Sequence, residues 1–107
     1  MIPRIIHQSW KVGQVPERWH AFQNSWRDLH PGFEYRFWTD ADNRTFVAEV
    51  FPEFLALYDG YKLPIMRADL ARYLVVCHFG GVYVDMDFEA LKPLDALRQI
   101  YRLAVED

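Results

Sequence analysis

At 107 residues the chain is long enough for one domain with a small core, and its 51% hydrophobic and 17% aromatic content excludes a disordered tail. A formal net charge of −3, with Lys and Arg scattered and forming no run, argues against a nucleic-acid partner. The single cysteine, Cys77, excludes an internal disulfide and a cysteine zinc site, and no stretch approaches the roughly 20 apolar residues of a membrane span. The opening "MIPRIIHQ" has no signal-peptide pattern. The expected setting is therefore cytoplasmic, with any membrane association carried by parts outside this chain.

In chain order, "PRIIHQSW" is apolar, β-branched and followed by the Gly13 turn, which predicts a short strand. Pro16 opens a predicted helix over 16–29, with Trp19, Phe22, Trp26 and Leu29 at helical spacing, broken by Pro31-Gly32. "FEYRFW" alternates and predicts a second strand over 33–38. Thr39 or Asp40 can cap a helix over 41–50, and Pro52 starts a short one ending near Tyr58. "IMRADLARYLVVCHF" predicts a helix over 65–79, stopped by Gly80-Gly81. Its apolar residues lie on most sides, which suggests an interior helix with Cys77 as a small core residue. "VYV" at 82–84 predicts a third strand. The order β-α-β-α-α-α-β indicates an α/β fold with a mostly parallel sheet. Ligands in such sheets sit beyond the carboxyl ends of the strands, here Gln8–Trp10, Trp38–Asp40 and Asp85–Asp87.

The acidic end is the most informative. Asp85 and Asp87 are two residues apart, so on an extended backbone both side chains point the same way. Two converging carboxylates are hard oxygen ligands suited to Mn²⁺ or Mg²⁺, with open positions for substrate phosphates. The ion would neutralise charge on a departing diphosphate. A bare Asp-x-Asp is also common in solvated turns; the preceding Gly-Gly and apolar strand sharpen the metal reading. Asp69 and Arg72 share one helix face, either as a structural ion pair or as contacts to a sugar hydroxyl and a phosphate. Trp10, at a strand end, either stacks on a nucleobase or covers the rim of the core. His7 reads as a hydrogen-bonded structural residue, and His20, His30 and His78 lack metal-ligand spacing. The Gly-rich loops of dinucleotide and P-loop sites are absent.

"IPRIIHQSW", "FWTD", "RADLARY" and "GGVYVDMDFEALKPLD", in this order, resemble the DXD sugar transferases of glycosyltransferase family 32, which include the yeast initiating mannosyltransferase of outer-chain glycans. More distantly the chain is similar to the glucosyltransferase domains of large clostridial toxins. The resemblance implies a GT-A-like three-layer fold and metal-dependent, retaining transfer from a UDP- or GDP-sugar to a glycan or other hydroxyl acceptor. It places the donor base on Trp10, beside Gln8, and the donor sugar and diphosphate on Asp69 and Arg72. Asp85 and Asp87 become the candidate catalytic and metal residues: Asp85 on ribose and metal-bound water, Asp87 directly on the metal. Phe88 and Ala90 depart from the residues common in relatives, and relatives run well past the acidic motif. The chain is thus expected to be the N-terminal donor-binding part of a domain, with an exposed sheet edge that invites self-association.

Two other readings use the same residues. A haloacid-dehalogenase-like phosphatase would make Asp85 a nucleophile, although Phe88-Glu89 stand where that motif normally carries Gly or Thr. A non-catalytic chain would bind the nucleotide sugar without transferring it.

Overall fold

The computed structural model describes residues 2–94, so Asp95, the last residue of the quoted acidic stretch, lies outside the described residues. Its centre is β1 (Ile5–Ser9), which pairs in parallel with β2 (Glu34–Trp38) on one side and β3 (Val82–Tyr83) on the other. Parallel neighbours require crossovers. The first passes through a 3-10 turn (Glu17–Trp19) and α1 (His20–Leu29). The second runs through α2 (Asp40–Val50), a 3-10 turn (Pro52–Phe54), α3 (Leu55–Gly60) and α4 (Pro64–Phe79).

Local chemistry sets these boundaries. Thr39 closes a capping box with Asp42, its side chain accepting from the Asp42 N–H while the Asp42 carboxylate accepts from the Thr39 N–H. Pro64 occupies the first turn of α4, where its missing N–H costs nothing. Alternation along β1 divides the core into two layers. Ile6 packs with Trp26, Val84 and Ala90 on the α1 face. On the other face α2, α3 and α4 bury Phe46, Val47, Tyr58, Ala71, Leu74 and Val75, with Trp38, Phe79 and Tyr83 packed against them. The expected three-layer α/β architecture with a parallel sheet is what forms.

Gly80 and Gly81 do more than end α4. Both have positive φ, +70° and +88°. A Cβ on Gly81 would lie 2.5 Å from the Ile5 carbonyl oxygen, and one on Gly80 would lie 2.7 Å from Pro3 Cγ. The chain must pass this close to β1 for β3 to join the sheet. The Gly80 carbonyl then accepts from Nε2 of fully buried His7 at 2.9 Å, while the Trp38 indole donates to His7 Nδ1 at 3.1 Å. These partners fix a neutral imidazole protonated on Nε2. Burial lowers the His7 pKa below its ordinary 6.5, against the Gly80 hydrogen bond, which raises it.

Four expectations are corrected. The first helix begins as a 3-10 turn, and α-helical geometry starts only at His20. β3 ends at Tyr83, because beyond it the Val84 N–H still reaches the His7 carbonyl but the ladder stops. Cys77 is exposed and not a core residue. α4 buries the single stripe Ala71, Leu74 and Val75, leaving Met66 and Tyr73 exposed, so it lies on the molecule and not through it. β2 and β3 each have a strand partner on one side among the described residues, leaving the edges on which the expected self-association depends.

Gly81→Ala should cost about 1–3 kcal/mol from backbone strain alone, with the contact on the Ile5 carbonyl added; urea unfolding measures it, and a change within about 0.5 kcal/mol would contradict the packing. His7 makes stability pH-dependent. Its folded pKa is depressed, so its contribution is complete above the unfolded value of 6.5 and is lost as pH falls toward the folded value. Melting temperature should therefore fall with pH below 6.5, and more steeply than in His7→Asn, which lacks the titrating ring.

Candidate functional site

The carboxyl ends of the strands open into a cavity of about 760 Å³ that gathers Trp10, Asp69, Arg72, Asp85 and Asp87. Two hydrogen bonds continue the β1–β2 pairing past the strands and shape one wall: Trp10 N–H to the Trp38 carbonyl (3.1 Å) and Asp40 N–H to the Lys11 carbonyl (3.1 Å). They bring Lys11 and the start of α2 to the cavity beside Trp10. From α4, Asp69 and Arg72 reach it one helical turn apart. Five of the six site residues expected from sequence thus meet around one space.

The acidic pair reaches the cavity on a turn, the alternative that the Asp-x-Asp sequence left beside a strand end. Asp85–Phe88 is a turn closed by the Phe88 N–H to the Asp85 carbonyl (3.2 Å), not a strand end. Buried Met86 anchors its middle, with Asp87 exposed. Arg72 pairs with Asp85 Oδ1 and not with Asp69, and its guanidinium lies 4.6 Å from the centre of the Tyr83 ring. Burial raises the Tyr83 phenol pKa above 10.0, so the ring facing Arg72 is neutral. Both members of the pair are partly exposed, which leaves Arg72 able to share an incoming anion.

Gln8 is the exception. It is fully buried on β1, and its amide Nε2 donates to the Asp85 carbonyl at 3.4 Å while its Oε1 accepts from the Tyr35 hydroxyl at 2.8 Å. The β1 alternation turns it under the acidic turn, away from the cavity. Gln8 supports the site without lining it.

The sequence reading missed Asn43. It sits on the buried stripe of α2 with Phe46 and Val47, is 2% exposed, and lines the cavity. Its Oδ1 is buried with no hydrogen-bond partner among the described residues. A buried acceptor left unpaired costs about 1–3 kcal/mol, so its place at the cavity wall favours a ligand donor. The signal was available: an amide interrupts an otherwise apolar i, i+3, i+4 stripe.

As a donor set for a divalent ion, the protein offers two carboxylates. No cluster of three or more His, Cys, Asp or Glu able to hold an ion occurs among the described residues. Two carboxylates do not complete a coordination shell, so an ion held by Asp85 and Asp87 would have to draw its other ligands from a bound ligand and water, as Mg²⁺-type sites commonly do. A neighbouring recess of about 300 Å³ holds the exposed Arg44–Asp59 pair and touches neither Arg72 nor the acidic turn.

The family described as "Glycosyltransferase sugar-binding region containing DXD motif" matches residues 16–104. The chain belongs to this family. Inositol phosphoceramide mannosyltransferase 2 of Schizosaccharomyces pombe is 47% identical over 97 residues, covering 91% of this chain and 28% of the relative. A mannosyl phosphorylinositol ceramide synthase of Saccharomyces cerevisiae is 43% identical over 97 residues, 91% of this chain and 25% of its own length. The initiation-specific alpha-1,6-mannosyltransferase of Candida albicans is 31% identical over 100 residues, 87% and 26% respectively. The chain thus spans between a quarter and three-tenths of these relatives. No solved structure matches it significantly. The small parallel sheet with helices on both faces is compatible with part of a GT-A-like domain. Family membership sets the phosphatase reading of Asp85 aside. No helix among the described residues is long and apolar enough to cross a membrane.

Asn43→Leu removes the orphaned acceptor at similar volume and favours the helix. Thermal unfolding should show an unchanged or higher melting temperature; a marked loss would mean that Asn43 serves the fold.

Proposed function

We propose that the chain forms the donor-binding part of a metal-dependent glycosyltransferase that moves a sugar, with retention, from a UDP- or GDP-linked donor to a hydroxyl acceptor. The observation that carries this reading is the meeting of a strand-end Trp, a helix-borne Arg and an acidic turn around one cavity. The family match and the mannosyltransferase names of the relatives support it, and they favour mannose as the transferred sugar. Inositol phosphoceramide, named in two of these relatives in one form or another, is the acceptor class to try first.

In this reading Trp10 stacks on the donor base, and Asn43 Oδ1 accepts a hydrogen bond from the base or ribose. Arg72, steadied by Asp85 and the Tyr83 face, holds the diphosphate, and Lys11 adds a second positive charge to the same wall. Asp69 accepts from a sugar hydroxyl. Asp87 ligates Mn²⁺ or Mg²⁺, and Asp85 contacts ribose and water bound to the ion. When bound, such an ion supplies charge neutralisation for the departing diphosphate. Arg72, paired with Asp85, would contribute positive charge to the same end.

Calorimetry with GDP-mannose and UDP-glucose, with and without Mn²⁺, tests the proposal. Binding should depend on the ion, and Asp87→Asn should remove most of that dependence because a neutral amide is a poorer ligand for a hard dication. Equal affinity in chelator would remove the metal from the account. Trp10→Ala should weaken donor binding by about 1–3 kcal/mol, the range for aromatic–base stacking, and Trp10→Phe should recover much of it. Unchanged affinity with a lower melting temperature would make Trp10 a core residue.

A further inference from the structure

The acidic turn lies beyond the end of a two-residue strand, so the sheet ladder does not hold it. Side chains from the other side of the fold do. The Trp26 indole N–H donates to the Phe88 carbonyl at 2.8 Å, one residue past Asp87. Ser25 Oγ accepts from the Ala90 N–H at 2.8 Å and itself donates to the Phe22 carbonyl at 2.6 Å. His30 Nε2 accepts from the Leu94 N–H at 2.9 Å, its Nδ1 donating to the Trp26 carbonyl at 2.7 Å. A second line enters from the sheet: Gln23 Nε2 donates to the Tyr35 hydroxyl (3.0 Å), which donates to Gln8 Oε1 (2.8 Å), and Gln8 Nε2 reaches the Asp85 carbonyl.

All of these groups come from α1, the residue after it, β1 or β2, more than sixty residues away along the chain or linked through Gln8. Ser25, Trp26, His30, Tyr35 and Gln8 do not line the cavity, so none can touch a ligand there directly. They act on the backbone that carries the carboxylates. Burial raises the Tyr35 phenol pKa above 10.0, which keeps its proton available for Gln8.

We propose that Trp26, Ser25 and the Tyr35–Gln8 pair are positioning residues that set the spacing of Asp85 and Asp87 and thereby their affinity for a divalent cation. Two like charges on a turn repel, and an unrestrained turn relaxes by moving them apart. Hydrogen bonds at Asp85, Phe88 and Ala90 hold the turn on both sides of Asp87 and fix the pair before an ion arrives. Outer partners of this kind typically govern metal affinity by 10- to 100-fold. The inference rests on the metal-dependent reading of the site.

The test measures Mn²⁺ affinity, by the electron spin resonance of free Mn²⁺ at saturating GDP, for the wild-type chain and for Tyr35→Phe, Ser25→Ala and Trp26→Phe. GDP affinity in chelator and melting temperature are recorded beside it. Each folded variant should bind Mn²⁺ about tenfold or more weakly with metal-free GDP affinity unchanged, and Ser25→Thr should restore the Ser25→Ala loss. A wild-type chain that binds no Mn²⁺ would overturn the metal-dependent reading itself. A wild-type chain that binds Mn²⁺, with Tyr35→Phe and Ser25→Ala binding it equally well, would overturn this inference alone. So would parallel losses of Mn²⁺ and metal-free GDP affinity, which are the mark of a merely structural role. Should Trp26→Phe fail to fold, the other two variants decide.

Discussion

The middle of β1 lies between two strands and two helix layers and has no free side-chain position, so Ile6, His7 and Gln8 each need a partner in the fold. Ile6 goes to the α1 layer, His7 to the Gly80 carbonyl and the Trp38 indole, and Gln8 to Tyr35 and the Asp85 carbonyl. Just past the strand, Trp10 is held by its backbone bond to Trp38 and reaches the cavity. One short segment therefore binds the start of the glycine turn, the start of the acidic turn and a wall of the site. The polar side chains are affordable in the interior because each is hydrogen-bonded, which is the condition for burying them without large loss.

The glycine turn and the acidic turn depend on each other through this strand. Gly80 and Gly81 let the chain pass within contact of Pro3 and Ile5, and only then can β3 pair with Ile6 and His7. β3 contributes little ladder, yet it delivers Asp85 to Arg72 and Tyr83 to the guanidinium face. From there the polar groups of α1 take over. The site thus joins strand ends and α4 to a turn whose position is a matter of individual hydrogen bonds. The proposed cation, shared with a donor diphosphate, would need only the two carboxylates of that turn from the protein.

Much of this was legible in the sequence. Pro16, Pro31-Gly32, Thr39, Pro52 and Gly80-Gly81 mark boundaries with definite backbone chemistry, and the elements fall within a few residues of them. Trp10 was legible as a residue just past a strand end, and Asp69 and Arg72 by the helical spacing that sets both on one face of α4; the cavity gathers them with Asp85 and Asp87. What the sequence hid follows from tertiary partners. A turn and a strand end look alike at Asp85-Met86-Asp87, and the difference is made by where the ladder stops. Gln8 reads as a strand-end contact until the alternation of β1 turns it inward. Apolar residues surround α4 in sequence, but Ala71, Leu74 and Val75 alone are buried, with Leu70 and Phe79 packed partly against the same core, so Cys77 and Tyr73 remain outside. Arg72 had two acidic neighbours to choose from, and geometry decided for Asp85.

The proposed function requires one cavity, bounded by Trp10, Arg72 and the acidic turn, to take a nucleotide and a divalent cation together. The most direct measurement is the paramagnetic broadening of backbone and indole N–H signals when Mn²⁺ is added at trace level to the GDP-saturated chain. Broadening should centre on residues 85–88, extend to Asp69 and Arg72 and weaken toward the Trp10 indole, and it should vanish when GDP is withheld at the same Mn²⁺ concentration. Broadening centred on Asp59 and Arg44, or spread evenly over the exposed acidic residues whether or not GDP is present, would contradict the account.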